Sequence, residues 1–155
     1  MPIRYVKGDI FLSNCQTWGH GCNTRGRMGA GVAVGFRSRF PEMFREYRRL
    51  CHLGKFIPGD YFLFKSPTRW ILNLATQDST HGAMIEFVDE ALRNFSTHAE
   101  DEGILSLALP RIASGLGGQE WAQVKALMEY HLGGLSFPAY IYEEFEEGAP
   151  ADESL

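Results

Sequence analysis

The chain has 155 residues, 45% hydrophobic and 22% charged, ordinary values for one globular domain. A folded chain of this length buries about 70% of the surface its unfolded form exposes, so a real core is possible. The net charge of −4 is concentrated in a terminal acidic run, EEFEEGAPADESL, so the body is close to neutral. A large nonspecific grip on nucleic acid is therefore excluded, although a local basic rim is not.

In chain order, IRYVKG reads as a first strand ending at Gly8-Asp9. QTWGHGCN has strand content, with glycines that suggest tight packing. GAGVAVGFRSRF turns helical, with Val32, Val34, Phe36 and Phe40 compatible with a buried face. Pro41 restarts the chain in a helical first turn, and EMFREYRRLCHLG follows to Gly54. YFLFKS and RWILNLAT flank a Ser-Pro-Thr turn in a hairpin pattern. GAMIEFVDEALRNFSTHAEDEG is the strongest helix, with Ile85, Val88, Leu92 and Phe95 on one stripe and Gly103 past its end. ILSLALPRI is a continuous apolar run, as in a strand covered on both faces. GGQEWAQVKALMEYHLGG is another helix, with Trp121, Val124, Leu127 and Met128 inward, and AYIYEEF closes as a strand.

Strands alternate with helices, which predicts a three-layer α/β/α domain with a mixed, mostly parallel central sheet. The domain is expected to span 1–145, and 146–155 to form a solvated, disordered acidic tail. The cysteines, Cys15, Cys22 and Cys51, form no CxxC pair, so no structural zinc site is expected. Their odd number and the lack of a signal-peptide pattern point to a reducing cytoplasm. No run of about 18 apolar residues suggests a membrane span. Trp18, Trp70 and Trp121 read as core or helix-face anchors, and His20 and Cys22 as packing residues. Arg37, Arg39, Arg45, Arg48 and Arg49 read as a solvated helix face, with a basic rim that meets nucleic-acid phosphates as the sharper option.

Two glycine-rich stretches, GHGCNTRGRMGAG and ASGLGGQEW, stand where a strand hands over to a helix. Such turns present unpaired N–H groups and a positive helix end to phosphate. The usual nucleotide motifs fail here. Gly21 to Gly26 resembles a P-loop, but Arg27 and Met28 stand where Lys and Ser or Thr are needed. Thr24 breaks the dinucleotide fingerprint GxGxxG. Asp9, ending the first strand, has the chemistry to accept from an exocyclic amine such as that of adenine.

YVKGDI, GCNTRGRMGAGVAVGFRSRFPEMFREY and LPRIASGLGGQEWAQVKALM, in this order and spacing, resemble the macrodomain family over residues 3 to about 143. The likeness is greatest to the branch of terminal ADP-ribose glycohydrolases and DNA ADP-ribosyl glycohydrolase antitoxins. It implies ADP-ribose as ligand or product, with no cofactor and no metal. Asp9 would hold the adenine amine, flanked by Gly8 and the Ile10 backbone. Asn23 would bond the distal ribose. Gly29, Ala30 and Gly31, between Met28 and Val32, would form the first ligand loop. Ala113, Ser114, Gly115, Leu116, Gly117 and Gly118 would form the second, with N–H groups toward the diphosphate. Tyr142 is a candidate for the adenine side, against the plainer reading of a strand aromatic.

One departure bears on activity. Hydrolases of this branch use a lysine in a Thr-Lys step after the RWILNLAT strand, and here the step is Thr76-Gln77. An amide forms no Schiff base and takes up no proton near neutrality, so covalent catalysis at that position is excluded. Some members also carry an acid at the position of Gly117. Asp78 and His81 could orient water and accept a proton, or Asp78, Ser79 and Thr80 could cap the following helix. Hydrolysis of ADP-ribose from a modified protein or nucleic acid is therefore expected. The alternatives are a non-catalytic reader of ADP-ribose and a regulatory partner of an ADP-ribosyltransferase. A monomer is expected.

Overall fold

The computed structural model describes residues 3–78 and 82–154. Strands β1 (Ile3–Gly8), β2 (Thr17–Cys22), β3 (Tyr61–Lys65), β4 (Trp70–Ala75), β5 (Leu107–Pro110) and β6 (Ala139–Phe145) form one sheet in the order β1-β6-β5-β2-β4-β3. All neighbours are parallel except β3, which returns antiparallel on β4 as the hairpin pattern predicts. Helices α1 (Val32–Arg39) and α2 (Pro41–His52) cover one face, and α3 (Ile85–Glu102) and α4 (Trp121–Leu132) the other. This is the predicted three-layer α/β/α arrangement.

The period of the central strands sends alternate residues to opposite layers. In β4, Leu72 and Leu74 join Leu92, Phe95, Val124 and Met128 under α3 and α4. Ile71 and Ala75 join Phe36, Met43 and Tyr47 under α1 and α2. Both faces are dry, which explains why β4 and β5 read as continuous apolar runs. α3 ends as expected at Gly103, whose φ of 87° suits a residue without Cβ. In α1, Phe36 is fully buried, but Val34 is exposed and does not belong to the core stripe.

Gly19 in β2 is required by close approach. A Cβ there would lie 2.6 Å from Leu109 Cδ2 and 3.1 Å from Leu72 Cβ. His20 and Asn73 face each other in register across β2 and β4, with Nε2 and Oδ1 2.7 Å apart. His20 is fully buried and stacks on Phe36 at 4.2 Å, and its Nδ1 has no partner among the described residues. Burial lowers its pKa to about 4, so the imidazole is neutral, as a packing residue should be.

The arginines of α1 and α2 are mostly engaged at the surface. Arg49 pairs with Glu46 at 2.6 Å, Arg37 lies over Phe44 and Arg39 over Phe11. Among the described residues, no helix is long and apolar enough to cross a membrane.

Candidate functional site

β2 and β5 are neighbours, yet the chain leaves β2 toward α1 and leaves β5 toward α4, on opposite faces. The loops diverge there and open a crevice beyond the carboxyl ends of the strands. A cleft of about 590 Å³ lies in that place. Its walls come from the end of β2 with the following loop, from Thr76 and Gln77 after β4, and from Pro110 to Ala113 and Gly115 to Gly117 at and beyond the end of β5.

The first wall is anchored by Met28, which is buried with Phe36 and Tyr47. Gly31 turns the chain at φ 63° and caps α1 without a side-chain hydrogen bond. Among the described residues, the N–H groups of Gly29, Ala30, Gly31, Val32 and Ala33 find no acceptor. In the second wall, Ala113 holds a left-handed φ of 60°, unusual for a residue with Cβ. Its carbonyl accepts from Gln119 N–H at 2.9 Å, which closes the loop on itself. Within that closure the N–H groups of Gly115, Leu116 and Gly117 also lack an acceptor among the described residues. A Cβ on Gly31 would come 3.3 Å from Leu116 Cδ1, so the two loops meet over the cleft.

Among the described residues, the cleft wall carries two arginines, Arg27 and Arg111, and no carboxylate. Arg111 lies 5.2 Å over the Trp121 ring, which fixes its position at the second loop. Opposed rows of N–H groups without an acceptor among the described residues, together with a helix start, make the space suitable for an elongated dianion. Among the described residues, no three His, Cys, Asp or Glu side chains converge as a metal site would require.

Asn23 lines the cleft, but most of its amide is committed to its own loop. Oδ1 accepts from Arg25 N–H at 3.0 Å, and Nδ2 donates to the Arg27 carbonyl at 2.8 Å. The Tyr47 hydroxyl, 2.7 Å from Oδ1 and 2.8 Å from the Asn23 carbonyl, shares its one proton there from below. Tyr47 is fully buried. Burial, followed by the nearby thiols, drives its pKa well up, so it is a permanent donor. The second proton of Nδ2 has no acceptor among the described residues and is the one available to a ligand.

Gln77 is half-buried in the cleft wall, bridged in antiparallel fashion to Ala83. The Gln119 side chain donates to the Ala83 carbonyl at 2.6 Å, and Ala83 N–H donates to the Gly117 carbonyl at 3.1 Å. The strand after which Gln77 stands is thereby tied to the second loop. Asp78 does not line the cleft, and its carbonyl accepts from Arg25 Nε at 3.2 Å. It does not cap α3, which begins at Ile85 with Met84 as a cap that makes no side-chain hydrogen bond. Ser79, Thr80 and His81 lie outside the described residues.

Met28 to Val32, Ala113, and Gly115 to Gly117 all line this one cleft. Ser114 and Gly118 belong to the same loop without lining it. Gly8, Asp9, Ile10 and Tyr142 stand apart at the β1–β6 edge. Asp9 is 8% exposed; its Oδ1 accepts from Phe11 N–H and its Oδ2 from Gly148 N–H, both at 3.0 Å. Tyr142 is buried beside it, its hydroxyl 2.5 Å from Glu153. The acidic segment 146–154 thus packs against the domain edge. Sequence reasoning did not single out Arg27, Thr76 or Arg111 as wall residues, nor Tyr47 as the support of Asn23. The PRI step was a signal for Arg111, but the buried donor left none.

Comparison with known proteins agrees with this geometry. The chain is 29% identical over 150 residues to the DNA ADP-ribosyl glycohydrolase of Thermus aquaticus, matching 93% of this chain and 42% of that protein. It is 29% identical to an ADP-ribose 1''-phosphate phosphatase of Candida albicans, over 90% of this chain and 99% of the relative. The solved structure of Thermosipho africanus DarTG in complex with ADP-ribose superposes with a TM-score of 0.87 at 29% identity, covering 95% of this chain and 42% of that one. The chain therefore spans about two fifths of some relatives and nearly the whole of another. The family profile described as Macro domain matches residues 20–128, and the chain belongs to that family.

Proposed function

We propose that the cleft binds ADP-ribose or an ADP-ribosyl group and that the protein hydrolyses the bond joining this group to a modified macromolecule. The observation that carries the reading is the pair of unpartnered N–H rows, Gly29 to Ala33 and Gly115 to Gly117, in a wall with two arginines and no acid. A diphosphate between the rows directs the distal ribose toward Asn23 and Gln77, and the adenosine toward the β1–β6 edge with Asp9, Ile10 and Tyr142. The likeness to the DarTG structure that contains ADP-ribose supports ADP-ribose as the ligand.

Hydrolysis breaks the bond from the ribose anomeric carbon to the acceptor atom and forms a bond from that carbon to water oxygen. The developing positive charge on the ribose lies near the bound diphosphate, which stabilises it without a covalent intermediate. Gln77 is neutral, so its role is to orient the water with the free proton of Asn23 nearby. His81 is the proposed proton acceptor, and the leaving atom takes up a proton. Three free thiols suit a reducing cytosolic setting.

A second reading is favoured by Gln77 itself. Without a charged group at that position the same pocket serves as a reader that binds and does not cut. Calorimetry with ADP-ribose, followed by incubation with ADP-ribosylated protein and ADP-ribosylated DNA, separates the two. Release of ADP-ribose that Gln77→Ala slows by at least about tenfold, with binding retained, supports hydrolysis. Tight binding with no release over hours supports the reader. Absence of binding at millimolar concentration overturns both.

A further inference from the structure

Segment 146–154 makes contacts that a solvated tail would not. After β6 the chain turns at Gly148, φ 76°, and runs back over the end of β1. Glu146 N–H donates to the Gly8 carbonyl at 3.0 Å. Gly148 N–H donates to Asp9 Oδ2 at 3.0 Å, and Asp9 N–H donates to the Ala149 carbonyl at 2.8 Å. Ala151 packs against the core under α1 and α2. A Cβ on Gly8 would lie 2.8 Å from the Ala149 oxygen and 2.9 Å from Ala151 N, so glycine permits this approach.

The far end is held by one carboxylate. Glu153 accepts from Ser13 Oγ at 2.6 Å, Asn14 N–H at 2.8 Å and the Tyr142 hydroxyl at 2.5 Å. The Cys15 thiol is 3.6 Å away, and the Tyr140 hydroxyl donates to the Glu153 carbonyl at 2.6 Å. Three O–H or N–H donors from residues 13, 14 and 142 converge on a single anion, a far more specific arrangement than an exposed acidic tail requires.

We propose that Ser13, Asn14 and Tyr142 form a carboxylate-binding site for Glu153, and that this site latches segment 146–154 over Asp9 in competition with the adenine of the ligand. One donor and one acceptor of the segment, Gly148 N–H and the Ala149 carbonyl, satisfy the Asp9 carboxylate and N–H. That is the hydrogen-bonding pattern an aminopurine edge offers. Both cannot occupy the same groups in full, so the latch sets how strongly adenine contributes to binding. The inference rests on the placement of adenosine proposed above.

Binding of ADP-ribose and of ribose 5-phosphate is measured by calorimetry for the parent chain and for Glu153→Ala. Hydrogen exchange of 146–154 is followed with and without ADP-ribose. Loss of the charge-assisted bonds of Glu153 is expected to tighten ADP-ribose about tenfold while leaving ribose 5-phosphate unchanged. ADP-ribose is expected to speed exchange in the segment. Ser13→Ala, which removes one donor from the same carboxylate, acts in the same direction if Glu153→Ala folds poorly. Unchanged or weaker ADP-ribose binding in the variants, or slower exchange in the segment on binding, overturns the latch. Equal tightening of both ligands also overturns it. If no protein binds ADP-ribose at millimolar concentration, the reading of the ligand falls, and the latch with it.

Discussion

Gly115 offers the cleanest way to close the cleft without disturbing the fold. A Cβ there meets nothing within 4 Å, and Gly115 is not in the left-handed region. Gly117 is unsuitable, because its Cβ would lie 2.7 Å from the Ala113 oxygen, and Gly118 holds a φ of 83°. In Gly115→Val the branched side chain projects from a loop position whose N–H is proposed to meet the diphosphate. Displacing that anion from Gly115, Leu116 and Gly117 removes at least two charge-assisted hydrogen bonds, each about 1.5–3 kcal/mol. The expected loss is at least about 3 kcal/mol, or roughly a hundredfold weaker binding of ADP-ribose. Calorimetry measures the affinity, and thermal unfolding shows that the melting temperature moves by no more than about 3 °C. Gly134→Val, at an exposed glycine past α4 with an equally open Cβ position, is the control and leaves affinity unchanged. Binding of ADP-ribose to Gly115→Val within about threefold of the parent, with the fold intact, would refute the assignment of the second loop.

Tyr47→Phe removes the donor that holds Asn23 from below. It is expected to cost about 1–2 kcal/mol of stability by denaturant titration and to weaken ADP-ribose binding, whereas Phe44→Leu in the same layer affects stability alone. His20 titrates near pH 4 when folded and near 6.5 when unfolded, so the unfolded state binds more protons between these values. Stability is full above pH 6.5 and falls as pH drops toward 4, by up to about 3 kcal/mol, and His20→Gln flattens that slope in chemical unfolding. Gly19→Ala forces a Cβ against Leu109 and Leu72 and is expected to destabilise by about 1–3 kcal/mol, read as a lower melting temperature. A melting temperature equal to the parent's would show that the β2–β4–β5 packing is looser than described.

The layer order of the fold was legible because its signals are local and periodic. The apolar runs of β4 and β5, the stripe of α3 and the glycine past its end each fix an element from within a few residues. Val34 was misplaced because α1 has only eight residues, too few for periodicity to choose between neighbouring apolar positions. The two glycine-rich loops were legible as strand-to-helix turns, but their convergence depends on β2 and β5 being neighbours, which no local pattern states. Asn23 shows a different limit, since a ligand-facing amide and an amide that ties its own loop have the same sequence. The segment after β6 is the largest departure from the reading of the chain. Its acids suggest solvation, yet Glu153 meets Ser13 across 140 positions of sequence. Such long-range pairings leave no mark in composition.

The central claim is that a diphosphate-bearing ligand lies between the two rows of free N–H groups. It is tested most directly by following backbone amide resonances during titration with ADP-ribose. The account predicts saturable shifts at Val32, Ala33, Gly115, Leu116 and Gly117, with Gly134 unmoved. Saturable binding that leaves these five amides unshifted would contradict it.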